Sequence, residues 1–202
     1  MPYVDWLGLH INIYAQIVGF VGMIVLVWSY QLKKTGFLAL SSAAMAIFLA
    51  ESCILAADSD TFTGIVLNAA AIVRNLLMLF CLKKLRRELP VWAAVCLLAA
   101  AWAACAWKLG AWYTWLPPVL QTVYTLCSVS KRYPVLKTGA LILESGNLLY
   151  HASVGAYIGV FRQIVLVIGV IAGLIGYLRA RRKERTCDQS GAECVRTDIK
   201  QG

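Results

Sequence analysis

Residues 11–34 read INIYAQIVGFVGMIVLVWSYQLKK, a run with no charged side chain from Ile11 to Tyr30 that ends on Lys33 and Lys34. As a helix rising about 1.5 Å per residue, an apolar run of this length crosses a hydrocarbon core about 30 Å thick. No lysine or arginine precedes it and no small-residue cleavage site follows, so it reads as a retained span, not a signal peptide. The lysines after it place its carboxyl end in the cytoplasm and the amino terminus outside.

Working outward from this segment, the chain predicts seven spans, near 11–31, 36–57, 62–82, 91–108, 112–130, 135–154 and 157–178. The connections alternate in charge. Lys33–Lys34, Lys83 to Arg87, Lys131, Arg132 and Lys137, and finally Arg179 to Arg185 are basic, whereas Asp58 to Asp60, Leu109 to Ala111 and Ser153 to Ala156 are not. Removing any one span would throw basic clusters to the wrong side, which is why seven are expected. The 202 residues are 60% hydrophobic and 14% charged, too few charges for a soluble globule's surface. The net charge of +9 follows from the loop pattern, and with no basic face interleaved with aromatics no nucleic-acid partner is expected.

The expected fold is all-α and integral to the membrane. Two parallel three-helix bundles, residues 1–86 and 111–183, are joined by a linker helix in 87–110, with 184–202 as a disordered cytosolic tail. The repeat rests on Glu51-Ser52 in helix two against Glu144-Ser145 in helix six, and on Gly64 to Asn68 in helix three against Gly159 to Gln163 in helix seven. Cys53, Cys81, Cys96, Cys105 and Cys127 sit in or beside apolar segments as small hydrophobes, and Cys187 and Cys194 lack a second ligand pair. No metal or other cofactor is expected. Neither HExxH nor GxSxG occurs, so the chain does not read as an enzyme.

Charged and amide side chains inside the spans are the candidate site. Counted from the cytoplasmic ends, Arg74 and Glu144 lie at similar depth, about 12–13 Å, and Glu51 and Arg162 at about 22–24 Å. Two cross-half pairs are therefore expected. Asn68, Asn75, Gln121, Asn147, His151 and Gln163 add more hydrogen-bonding groups than a dry seam would need, which favours a polar cavity. His151 near the outer end of helix six reads as interfacial, as do Trp28, Tyr30, Trp112, Trp115 and Tyr133. Gly169-x-x-x-Gly173 predicts close helix packing, and Pro117–Pro118 a kink or hinge in helix five.

With these residues laid out, the chain resembles the YgjV-type bacterial inner-membrane proteins, a family without an established activity. The resemblance is carried by Gly64-Ile-Val-Leu-Asn68 with Ile72-Val-Arg74-Asn75, and by Glu144 through Asn147-Leu-Leu-Tyr150 with Gly155-Ala-Tyr157-Ile-Gly159. More distantly, the layout is similar to the SWEET and PQ-loop transporter group, in which an asparagine on the third helix of each half lines the pocket. That likeness implies Asn68, with Gln163 in place of the second asparagine. Helix one ends Trp28-Ser-Tyr-Gln31 without that group's proline, and the interior is more charged than a sugar pocket.

The function expected on these grounds is transport or facilitated passage of a small polar solute. Asn68, Gln163, Arg74, Asn75, Glu144 and Asn147 would meet the solute, and Glu51 with Arg162 would form a gating ion pair. The rival expectation is a non-transporting receptor or assembly protein whose basic loops or tail bind a partner or anionic lipid. Membrane lipid is the expected surrounding partner in either case, and homo-oligomerisation is compatible with both.

Overall fold

The computed structural model describes residues 3–6, 9–55, 62–106, 110, 112–130 and 132–198. Among these residues seven helices dominate, preceded by a short antiparallel hairpin, β1 (Tyr3–Trp6) with β2 (Leu9–Asn12), that pairs Tyr3 with Asn12. The sequence reading did not anticipate this hairpin. Asn12 ends it and begins α1 (Ile13–Ser29), its side chain accepting the Ala15 N–H at 3.2 Å. α2 (Lys34–Leu55) and α3 (Phe62–Phe80) follow. α3 widens into a last turn, Cys81–Leu85, stopped by Arg86 in the left-handed region at φ 50°.

Pro90 precedes α4 (Val91–Cys105), and a tight turn at Trp112–Trp115 leads into α5 (Leu116–Val129). Pro117 and Pro118 fall in the first turn of α5, where no intrahelical N–H is required, so they start the helix and the expected hinge has no basis. α6 (Tyr133–Ser153) has Pro134 in its first turn. Gly155 at φ +69° makes the turn into α7 (Tyr157–Asp198). α7 thus runs well past Lys183, through most of the segment expected to be a disordered tail. No proline follows residue 134, and a helix already nucleated propagates at little further cost.

Lys34–Leu55, Phe62–Leu85 and Tyr157–Ala180 are long and apolar enough to cross a membrane, and Ile13–Ser29 and Val91–Cys105 are shorter apolar helices. The distribution of side chains is that of a protein dissolved in lipid. Ile17, Val21, Ile24 and Trp28 on α1, and Ile164, Ile168, Ile171, Ile175 and Leu178 on α7, form exposed apolar stripes at helical spacing. Lys137, Arg74, Glu51 and Glu144 are buried instead.

Helices pack with their chain neighbours, and α1 against α7 and α3 against α5 help to close the bundle. α7 approaches α1 through the expected glycines. A β-carbon on Gly173 would collide with the Tyr30 carbonyl, one on Gly169 would lie 3.2 Å from Val27, and Gln31 Nε2 donates to the Gly169 carbonyl at 3.3 Å. Gly146 against Leu120 and Gly139 against Cys127 bring α6 and α5 together in the same way.

Candidate functional site

The helix ends bearing Lys34, Lys83, Lys84 and Arg132 form the basic end of the bundle. There Lys34 Nζ donates to Glu88 at 2.8 Å and to the Ser130 carbonyl at 3.3 Å, and the Tyr133 hydroxyl donates to the Leu32 carbonyl. One layer further in, Lys137 is fully buried. Its ammonium donates to the Tyr30 carbonyl and lies 5.1–5.4 Å from the ring centres of Tyr30, Phe37 and Tyr133. The sequence groups Lys137 with the loop cations, but α6 begins at Tyr133, which puts it a turn inside the helix on its inner face.

Arg74 lies in the same region, 2% exposed. Its Nη1 donates to Thr125 Oγ1 at 3.0 Å, its Nε and Nη2 donate to Asn75 Oδ1, and its guanidinium stands 4.5 Å over the Tyr124 ring. Asn75 in turn donates to Ser41 Oγ at 3.1 Å. The expected Arg74–Glu144 pair is not formed. Depth alone suggested it, but Arg74 on α3 faces α5, whereas Glu144 on α6 faces α1 and α7.

Beyond this polar floor lies a cavity of about 320 Å³. Its lining reaches the helix ends opposite the basic ones, at Leu55, Thr63, Pro117, His151 and Gly159, and descends to Gln121, Glu144 and Leu166. Of the residues expected to form a site, Glu51, Asn68, Glu144, Asn147, Arg162 and Gln163 line it, while Arg74 and Asn75 do not. Arg162 donates to Glu51, so the second expected ion pair is present and joins α7 to α2. Glu144 accepts from the Tyr30 hydroxyl on one oxygen and from Gln163 Nε2 on the other, and Asn68 Nδ2 donates to Ser52 Oγ at 3.3 Å. His151, expected at the interface, borders the cavity with its ring packed on Gly159.

The two sequence correspondences sit differently in the fold. Asn68 lies six residues beyond Phe62, where the described part of α3 begins, and Gln163 six beyond Tyr157 at the start of α7. Glu51 lies 17 residues beyond Lys34 at the start of α2, whereas Glu144 lies 11 beyond Tyr133 at the start of α6. The Glu-Ser match is therefore out of step with its helices.

Sequence reasoning missed three residues. Tyr30, read as interfacial, is 2% exposed and contacts Glu144 by its hydroxyl and Lys137 by its carbonyl. Lys137 was detectable, because Pro134 marks a helix start and places it beyond the loop. Gly19 makes room on α1 for Arg162 and Glu51, and no local signal distinguishes it from other small residues. Among the described residues no group of His, Cys, Asp and Glu could hold a metal.

Apolar stripes outside, charges and amides around a cavity inside, and helices long enough to cross a bilayer define a helical integral membrane protein. Residues 13–183 match Imp-YgjV, described as bacterial inner membrane protein, and the chain belongs to that family. No curated protein and no solved structure matches it.

Proposed function

We propose that this protein is a transporter or facilitator for a small polar solute in the bacterial inner membrane. In this reading it has seven spans, with the amino terminus outside and the carboxyl end in the cytoplasm. Two three-helix units, α1–α3 and α5–α7, are linked by α4 and rock about the cavity between them. The observation that carries the reading is the cavity itself, lined by Asn68, Asn147 and Gln163 together with Glu144 and the Glu51–Arg162 pair. Amides and charges are costly to bury in a lipid-surrounded bundle, and a hydrated solute path supplies the partners that a solid seam would not.

The cavity's lining favours a state open to the outer face. It reaches the ends of α2, α3, α5, α6 and α7 opposite the basic loops, while Lys137–Tyr30, Tyr133–Leu32 and Arg74–Thr125 tie the helices together below it. Arg74 and Asn75 thereby move from solute contact to the closed side of the gate. The test is counterflow in liposomes holding the purified protein, with labelled sugars, nucleosides, amino acids and organic cations. Saturable flux that falls at least about tenfold in Asn68→Ala, through loss of a hydrogen-bonding group, is expected. Absence of flux for every class would sink the proposal.

A second reading, a non-transporting receptor or assembly protein, is favoured by one observation: Lys83, Lys84, Arg86 and Arg87 are all exposed around the left-handed turn at Arg86. Loss of a bound partner on removing residues 184–202 or neutralising this turn, without solute flux in the intact chain, would support it.

A further inference from the structure

We infer that the solute carries a positive charge, and that Glu144 at the cavity floor is the group that meets it; the inference rests on the transport reading above. The argument begins with charge balance. Two carboxylates, one guanidinium and the His151 imidazole line the cavity, and Arg162 is engaged with Glu51. That pair neutralises itself. Glu144 has no cation within ion-pair distance among the described residues, since both of its contacts, the Tyr30 hydroxyl and the Gln163 amide, are neutral donors.

The groups on the elements packed around Glu144 do not supply one. Arg74 on α3 is spent on Thr125, Asn75 and the Tyr124 ring. Lys137 is two turns along α6, about 10 Å away at 1.5 Å per residue. It is held by the Tyr30 carbonyl and does not line the cavity. On α7 the next residue, Arg162, belongs to Glu51, α5 brings Gln121 to the lining, and His151 lies two turns from Glu144 toward the outer end of α6.

A carboxylate has about four acceptor positions, and two of Glu144's are taken. The residue lines the cavity, so a ligand there is within reach of the remaining acceptor capacity. Tyr30 and Gln163 hold the carboxylate in place from α1 and α7, so it is oriented before a ligand arrives. Gln121, Asn147 and Asn68 add neutral hydrogen-bonding groups, and Phe48, Leu143 and Leu166 supply apolar wall. The volume, about 320 Å³, admits a small organic molecule at the lower end of ordinary ligand pockets. An ammonium group on a short polar or partly apolar body matches this lining. A cationic ligand favours the ionised form of Glu144 and pairs with it, whereas an anion gains nothing from either form of this carboxyl group.

The inference is tested on purified full-length protein in detergent by measuring melting temperature against three charge classes. Ethanolamine, choline and agmatine represent cations, glycerol and glucose neutral solutes, and lactate and glycolate anions. Stabilisation by at least one ammonium compound and by no anion is expected, with apparent affinity reduced at least about tenfold in Glu144→Gln, as loss of a charge-assisted contact predicts. Stabilisation confined to neutral solutes or anions, or an ammonium effect that survives Glu144→Gln, overturns the charge assignment and leaves the cavity a solute site. No stabilisation by any class overturns both. The comparison of charge classes on the native chain holds even if Glu144→Gln fails to fold.

Discussion

Gly19 on α1 leaves the space through which the Arg162 guanidinium reaches Glu51. A β-carbon at this position would overlap Arg162 Nη1 and crowd the Glu51 carboxylate. Intrinsic propensity alone would make Gly19→Ala stabilising by about 0.8–1 kcal/mol. The displaced groups are ends of flexible side chains, so the helix can accept the methyl, but only by pushing the ion pair apart. Gly19→Ala should therefore lower stability by about 1–3 kcal/mol, the usual cost of overpacking, and Gly19→Val by more. Thermal unfolding in detergent decides this, and a rise in melting temperature would mean that the pair re-forms elsewhere.

Glu51 and Arg162 are each largely buried and joined across α2 and α7. Removing one partner leaves the other without its counter-charge, whereas removing both leaves two neutral amides in a polar cavity. In a cycle of Glu51→Gln, Arg162→Gln and the double variant, the double should be less destabilised than the sum of the singles by about 0.5–3 kcal/mol. Additive effects would show that solvent in the cavity already screens the pair.

The glycines of α7 give an internal control on packing. Gly173 faces the backbone of Tyr30, which cannot move aside as a side chain can, while Gly176 has nothing within 4 Å of the added carbon. Gly173→Ala should cost about 2 kcal/mol or more and disturb the Lys137–Tyr30 contact beside it. Gly176→Ala should stabilise by roughly 0.5–1 kcal/mol through helix propensity. Equal effects at the two positions would contradict the close approach of α7 to α1.

The extent to which the site was legible follows from what a sequence encodes. Apolar length and loop charge mark helices in lipid, so six of the eight candidate site residues fell on the cavity lining, and Glu51 could be matched to Arg162. Depth along a span is readable from residue number. The direction a side chain faces around the helix axis is set by how helices pack, and the Arg74–Glu144 pairing fails for that reason, Arg74 turning toward Thr125 while Glu144 turns toward Tyr30 and Gln163. Tyr30 was misread because aromatic rings at span ends usually rest among headgroups, and a neighbour on another helix, Glu144, drew this one inward. The Glu-Ser correspondence is out of step because identity of two residues says nothing about their distance from the start of the helix.

One-sided access to the cavity is a prediction of the transport reading. Thr63 and Asn147 line the cavity, whereas Ser41 and Ser128 are buried in the tied region toward the basic end. In a background without the native cysteines, Thr63→Cys and Asn147→Cys should react with a membrane-impermeant maleimide added to the outer face of intact spheroplasts. Ser41→Cys and Ser128→Cys should not react from that face, because Arg74–Thr125, Asn75–Ser41 and Lys137–Tyr30 close the path. If the closure is a gate and not a permanent floor, Lys137→Ala should raise labelling of Ser128→Cys without loss of fold, since it removes a cross-helix contact and opens space among three rings. Labelling of Thr63→Cys from the inner face alone would invert the orientation inferred from the basic loops. Equal labelling of all four positions from both faces would mean a continuous pore, in which the buried contacts of Tyr30 do not seal the bundle.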